Sequence, residues 1–345
     1  MRNLLLSLTA ICTVSLVISH GQTPTPQQPS SPAQKPKRPG VSTPGVKIPI
    51  ARLKPEAVFS VPGVPDWLAV AEQVWVSNSP KNTVHRLDPT TNAVTAAVEV
   101  GVHPCSGLAA GFGSLWVPNC GDKSGGRSLA RVSLKDAKVE ATLPFEVPDS
   151  EGGIATGAES VWVMTDKNGT LARIDPATNK AVAEIRVAPG SYAVAFGENA
   201  VWITSTEKNL LTRVNARTNL VEETIPVGPR PRFLTVGEGS VWTLNQGDGS
   251  VSRVDVKTNK VVATIEAGVP GNGGEIAVGD GSVWVTSFEY PITRIDAATN
   301  KVAQQFYGDG GDSIRFGLGF VWLSNLRAAN IWKLDPKRIV ATLPE

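Results

Sequence analysis

Short runs of apolar residues alternate with turn residues along most of this chain, and the runs come in sets of four. The set is clearest near residue 280. Ile276-Ala277-Val278-Gly279 is a brief apolar run, Asp280-Gly281 is a turn signal, and Ser282-Val283-Trp284-Val285-Thr286 is a second run. Ile292-Thr293-Arg294-Ile295-Asp296 follows, closed by Ala297-Ala298-Thr299-Asn300, and Lys301 to Phe306 completes the set. β-Branched and aromatic residues fill these runs, and Gly or Asn bounds them, so each predicts a short β-strand. No stretch shows a convincing helical period.

The set repeats. Val-Trp or Leu-Trp dipeptides place Trp75, Trp116, Trp162, Trp202, Trp242, Trp284 and Trp322 at steps of 41, 46, 40, 40, 42 and 38 residues. A period of about 40 residues marks one supersecondary unit copied along the chain. Four strands per copy suit a β-propeller better than a solenoid, whose rungs are shorter. The second strand of each copy is apolar on both faces, as in Val283-Trp284-Val285. A strand covered on both sides reads this way, and a propeller blade lies between two neighbours. The expected fold is all-β, a seven-bladed β-propeller of four-stranded antiparallel blades.

The repeat with its Trp strand, Thr293-Arg294-Ile295-Asp296 and Thr299-Asn300-Lys301-Val302 resembles the YVTN-type β-propeller repeats. It is also similar to the streptogramin (virginiamycin B) lyase-like propellers. The resemblance covers residues 56–345 and implies seven blades. Lyases of that group are metal-dependent and use a histidine near the channel. This chain has only His20, His85 and His103, in the leader, a third strand and a loop, and none falls in a matching motif. No catalytic residue is assigned.

The ends read differently. Residues 1–21 have a basic start, a mostly apolar run from Leu4 to Ile18 and the small residues Ser19-His20-Gly21, the pattern of a secretory signal peptide. An uncleaved anchor is the alternative. Residues 22–54 are rich in Pro, Ser, Thr and Gln and predict a disordered linker, with the propeller at 55–345. Glu56 to Val61 resembles a fourth strand placed ahead of the first blade, and Ile339 to Leu343 resembles the fourth strand of the last. The two termini are therefore expected side by side where the ring closes.

A net charge of +2, from 33 basic and 31 acidic residues, gives no strong field for nucleic acid or a membrane surface. A monomer with an extracytoplasmic, periplasmic or secreted location is expected, with no membrane span once the signal is removed. Two cysteines remain after the leader, Cys105 and Cys120. They are equidistant from the turn Ala110–Ser114, so a disulfide is expected at the open end of the first two strands of the second blade. Two free thiols are the alternative.

Regular columns predict structure. The seven tryptophans suit packing between blades. The basic column Arg86, Arg131, Arg173, Arg213, Arg253, Arg294 and Lys333 is followed two residues later by Asp or Asn in six copies, at the start of a turn. Irregular positions are better candidates for binding. His85 and Trp332 are larger than their counterparts and predict extra packing where the ring closes. On the face holding the loops between blades, Asp66, Trp67, Tyr192, Arg230, Arg232, Phe233, Glu275 and Asp312 should converge on the mouth of the central channel.

The expected occupant is a small anionic or sugar-like ligand, or a protein or peptide partner, gripped by Arg232 against an aromatic wall. Pairing of Asp66 and Asp312 with the arginines is the alternative. The favoured function is a non-catalytic binding or interaction module. The other is a metal-assisted lyase or lactonase-like hydrolase with carboxylates at the channel mouth. No cofactor is expected. Ca²⁺ or Mg²⁺ is the alternative, held by Asn119, Asn245 or Asn325 with Glu151, Glu275 or Asp312.

Overall fold

In a computed structural model, which describes residues 38–148 and 151–343, the repeat closes into a ring of seven antiparallel sheets. Six are four-stranded and one has a fifth strand. The first strands, Pro65–Val70, Ala109–Gly111, Ile154–Gly157, Ser191–Gly197, Pro231–Gly237, Glu275–Gly279 and Ile314–Gly317, each touch the first strands of the flanking blades and line the channel. The expected signal peptide and the first part of the expected linker lie outside the described residues.

The core lies between blades. All seven repeat tryptophans are at most 1% exposed. In six blades the indole N–H donates to a glycine carbonyl five residues earlier, at 3.0 to 3.3 Å. That glycine ends the first strand, where the next blade presses close. A Cβ on Gly157 would stand 2.0 Å from the Phe196 ring, and one on Gly279 2.0 Å from Phe316. Only glycine fits this approach.

The basic column locks the blades together. Each column residue pairs across the sheet with its blade's tryptophan, as Arg131 with Trp116 and Arg253 with Trp242. In five blades the guanidinium lies over the indole, 4.7 to 5.9 Å from its centroid. Its far nitrogen then reaches the next blade's outer turn: Arg131 to Asn179, Arg173 to Asn219, Arg213 to Asn259, and Arg253 to Asn300. Lys333 of the last blade donates to the Pro89 carbonyl of the first, at 2.7 Å. The following acids nucleate the turns. Backbone amides of Thr90 and Thr91 donate to Asp88, and those of Lys257 and Thr258 to Asp255. These bonds hold both carboxyls below their usual range.

Closure follows the expected scheme in one half only. Ala57–Ser60 pairs antiparallel with Asn330–Leu334 and supplies the outer strand of the last blade. Phe59 buries against Trp322, with ring centroids 5.9 Å apart. The C-terminal segment is not a strand. Pro336–Ala341 is a helix, with Pro336 in its first turn and the Asp335 side chain accepting from Lys337 N–H. Proline lacks the N–H that an interior strand position needs but suits a helix start, and the outer-strand place is already filled.

The linker expectation also needs correction within its described part. Lys47–Pro49 runs parallel to Lys301–Gly308 as a fifth strand on the sixth blade. Ile48 and Val41 are buried. Arg38 donates to the carbonyls of Pro270 and Phe288, both at 2.8 Å, and to that of Asn272. Sparse apolar residues and proline suggest a spacer, yet here Val41, Val46, Ile48, Ile50 and Leu53 pack against the core clusters.

Candidate functional site

The channel mouth is built from the first residues of the inner strands. Asp66 and Trp67 come from the first blade, Tyr192 from the fourth, Arg232 and Phe233 from the fifth and Glu275 from the sixth. They sit in strands, whereas Arg230 and Asp312 precede theirs. A strand fixes a side chain more firmly than a loop does, because its register is set by the neighbouring strand.

Trp67 and Phe233 meet across the channel, with ring centroids 6.0 Å apart. They are 6% and 2% exposed. The aromatic wall expected to face a ligand is therefore a buried plug, because two large apolar rings shield each other from water. Arg232 lies against it. Its guanidinium is 5.7 Å from the Phe233 centroid and 5.2 Å from that of half-buried Tyr192. Glu151 forms an ion pair with it. Arg230 is exposed, and its Nη2 donates to Asn272 Oδ1 at 3.3 Å.

Glu275 is buried. It pairs with Arg315 and accepts from Ser313 Oγ at 2.5 Å and from Ile314 N–H at 3.1 Å. Burial pushes its carboxyl above the ordinary range, against the pull of Arg315 and the two hydrogen bonds. Among the described residues neither Asp66 nor Asp312 forms an ion pair with an arginine; the mouth arginines pair with Glu151 and Glu275 instead. Burial, then Asp312, Glu151 and Glu275, pushes Asp66 well above the usual carboxylate range. Burial also raises Asp312, whereas the Asp66 bond, Gly274 N–H and the Arg327 charge favour its ionised form. Both carboxyls are thus held toward their neutral forms.

The other candidates serve structure. Burial favours the neutral ring of His85, whose Nε2 lies 3.1 Å from Thr83 Oγ1. Its partners are in its own blade, and Trp332 packs in the cluster between the sixth and seventh blades. Cys105 and Cys120 form a disulfide with Cα atoms 5.9 Å apart, at the open end of the first two strands of the second blade. Asn119 Nδ2 donates to the Val100 carbonyl, Asn245 Oδ1 accepts from Thr243 Oγ1, and Asn325 Oδ1 accepts from Gly311 N–H. These bonds pin loops and strand ends. Among the described residues, no group of three or more His, Cys, Asp or Glu could hold a metal ion.

The sequence reading passed over Arg315, which pairs with Glu275. Its signal was there. The residue paired with each repeat tryptophan on the first strand is Ala69, Ala109, Ala155, Ala195, Thr235 and Ala277 in six blades, and Arg315 in the seventh. An arginine in a column of small residues is as irregular as Arg232.

No protein-family model matches the chain, and no curated protein matches it significantly. Among solved structures, the fold is similar to that of a streptogramin B lyase, with a TM-score of 0.62. Identity is 20%, and the match covers 86% of this chain and 95% of that one. The virginiamycin B lyase-like resemblance read from the repeats thus holds at the level of the fold.

Proposed function

We propose that the protein is an extracytoplasmic, non-catalytic binding propeller that takes a small sugar-like ligand at the channel mouth. The observation that carries this reading is Arg232, held by Glu151 and stacked between Tyr192 and Phe233. Two mouth arginines already have a carboxylate, Arg232 with Glu151 and Arg315 with Glu275, and Arg230 bonds the Asn272 amide. The mouth therefore offers donors and acceptors side by side without a strong positive field. That mixture beside the half-buried Tyr192 ring suits a polyhydroxylated molecule better than a bare anion. The Cys105–Cys120 disulfide is compatible with an oxidising compartment. No helix of the described residues is long and apolar enough to cross a membrane.

Isothermal titration against a panel of neutral sugars, sugar acids and acidic peptides tests this reading. Arg232→Ala should weaken binding of the sugar that the wild type selects by at least about tenfold, the factor for 1.4 kcal/mol. Arg217→Ala, an exposed residue in an outer turn, serves as the control. Unchanged affinity in Arg232→Ala would place the site elsewhere.

One observation supports a catalytic second reading, a lyase or lactonase-like hydrolase. Burial raises the carboxyls of both Asp66 and Asp312 at the same mouth, an arrangement suited to acid–base work. Turnover of a sugar lactone or ester that is lost in Asp312→Asn would favour it.

A further inference from the structure

The even charge balance of the mouth gives way on its rim over the sixth blade. Three guanidinium groups from distant parts of the chain meet there around Asn272 and Phe288. Arg38, from the segment ahead of the ring, donates through Nε to the Pro270 carbonyl and through Nη1 to the Phe288 carbonyl, both at 2.8 Å, and through Nη2 to the Asn272 carbonyl. Arg230, just ahead of the first strand of the fifth blade, donates through Nη2 to Asn272 Oδ1 at 3.3 Å. Arg327, in the turn after the second strand of the last blade, lies over the Phe288 ring, 4.6 Å from its centroid. Arg230 and Arg327 are exposed, so their remaining N–H donors face solvent.

The protein leaves this cluster largely uncompensated. Among the described residues, none of the three forms an ion pair with a carboxylate. Glu289 lies beside Arg38, where its Oε2 accepts the Arg38 backbone N–H at 2.9 Å. Arg327 favours the ionised form of Asp312, but burial holds that carboxyl toward its neutral form. The sequence ahead of Arg38 contains no Asp or Glu and adds Lys35 and Lys37. Like charges brought together repel. Burial and then the Arg327 charge lower the Arg38 guanidinium from its ordinary value, against the pull of Glu289. The backbone is also held at a cost. Arg230 has a φ of 53°, in the left-handed region, where the equivalent residue of the fourth blade is Gly190 with a φ of 69°. Glycine adopts that conformation freely and arginine does not. Asn209 Oδ1 accepts the Arg230 N–H at 2.8 Å, and the Gln246 N–H donates to the Arg230 carbonyl at 3.0 Å, which keeps the residue in place. Strain and repulsion kept together at a rim are the mark of a site that serves a ligand.

We propose that this rim is a phosphate subsite, in which Arg230 and Arg327 grip a phosphomonoester while Arg38 fixes Asn272 and Phe288 and adds its charge. Three positive charges against the one carboxylate of Glu289 leave an excess of two. That excess matches the dianion of a phosphomonoester and exceeds the single charge of a carboxylate. Guanidinium forks also fit phosphate oxygens in pairs. Only Pro231 separates Arg230 from Arg232, so a phosphate on the rim places the group it is attached to at the mouth. That this group is a sugar rests on the reading of the mouth as the binding site; the phosphate subsite itself does not.

Phosphorus NMR titration of the folded protein with inorganic phosphate, at about pH 8 where the ion is a dianion, tests the subsite without any sugar. Its failure therefore stays distinct from failure of the Arg232 titration. The wild type should bind one phosphate per chain. Arg230→Gln and Arg327→Gln should each weaken it by about tenfold or more through loss of a charge-assisted grip. Both side chains are exposed, so neither change should lower the melting temperature. Arg217→Gln, in an outer turn, should bind as the wild type does. A wild type that binds no phosphate, or an Arg217→Gln variant that loses as much affinity as the rim variants, overturns the proposal. Glucose 6-phosphate distinguishes the sources of the phosphate. Tighter binding than inorganic phosphate supports a phosphorylated sugar spanning rim and mouth, whereas equal binding assigns the subsite to free phosphate and counts against the sugar reading of the mouth alone.

Discussion

The guanidinium of Arg253 lies over the ring of Trp242, 4.7 Å from its centroid, and from there donates to the Asn300 side chain of the next blade at 2.9 Å. One side chain thus joins the packed centre of its own blade to the outer turn of its neighbour. It also donates to Ser240 Oγ at 2.8 Å and to the Ala297 carbonyl at 2.7 Å. Arg253→Ala should lower stability to denaturant by about 2–3 kcal/mol, since hydrogen bonds to a charged group are worth more than neutral ones. Arg253→Lys should recover less than half of the loss, because an ammonium cannot stack and fork at once.

Phe59 tests ring closure. It is 2% exposed, belongs to the strand that completes the last blade, and packs on Trp322. Phe59→Ala should cost about 3–5 kcal/mol in equilibrium unfolding. Val58→Ala, on the same strand but 53% exposed, should stay within about 0.5 kcal/mol of the wild type.

The disulfide between Cys105 and Cys120 closes a loop with a sequence separation of 15. Loss of a loop closure of that size should reduce stability by about 3 kcal/mol in the chain-entropy model. The check is denaturant unfolding of a Cys105→Ala/Cys120→Ala variant against the oxidised wild type. Thiol labelling of the unreduced wild type, unfolded, should find neither residue free.

Glu275 and Arg315 give a pH-dependent prediction. Burial raises the Glu275 carboxyl above its ordinary range, so the group costs the fold nothing below the unfolded value and costs it stability as pH rises through the folded one. Arg315 limits that cost. Arg315→Ala should therefore match the wild type closely at about pH 4 and be less stable by about 3 kcal/mol at about pH 8, where a buried carboxylate has lost its partner. A loss that is equal at both pH values would show that Arg315 acts through packing alone.

The repeat made the fold legible. A tryptophan column at a steady period, with small turn residues at fixed offsets, leaves few architectures open, and the basic column with its turn-starting acids identifies itself as structure because every blade needs it. The mouth residues were legible for the opposite reason, since Asp66, Tyr192, Arg232, Glu275 and Asp312 break the repeat. Their pairing was not legible. Register along a blade follows from its own sequence, but contacts across a channel depend on how seven blades close, so the Trp67–Phe233 plug and the Arg232–Glu151 pair surface only in three dimensions. The segment Lys47–Pro49 and the helix Pro336–Ala341 escaped for a simpler reason. Both lie outside the repeat, and local composition alone argued for a spacer in one case and a strand in the other.

The strand Ala57–Ser60 has a consequence for the order in which this protein can be made. It leaves the ribosome ahead of every strand of the ring except the short Lys47–Pro49, yet its partner Asn330–Leu334 is the last strand of the ring to follow. Six blades can in principle form from neighbouring hairpins as they emerge. The seventh cannot, because its outer strand has been waiting since the beginning. Pairing across nearly the whole polypeptide is slow, and until it occurs the newborn chain is an open arc with two raw ends. A circular permutant that moves Ala57–Ser60 behind Leu334 would turn that last long-range search into an ordinary hairpin, and it should refold faster than the natural order of the chain.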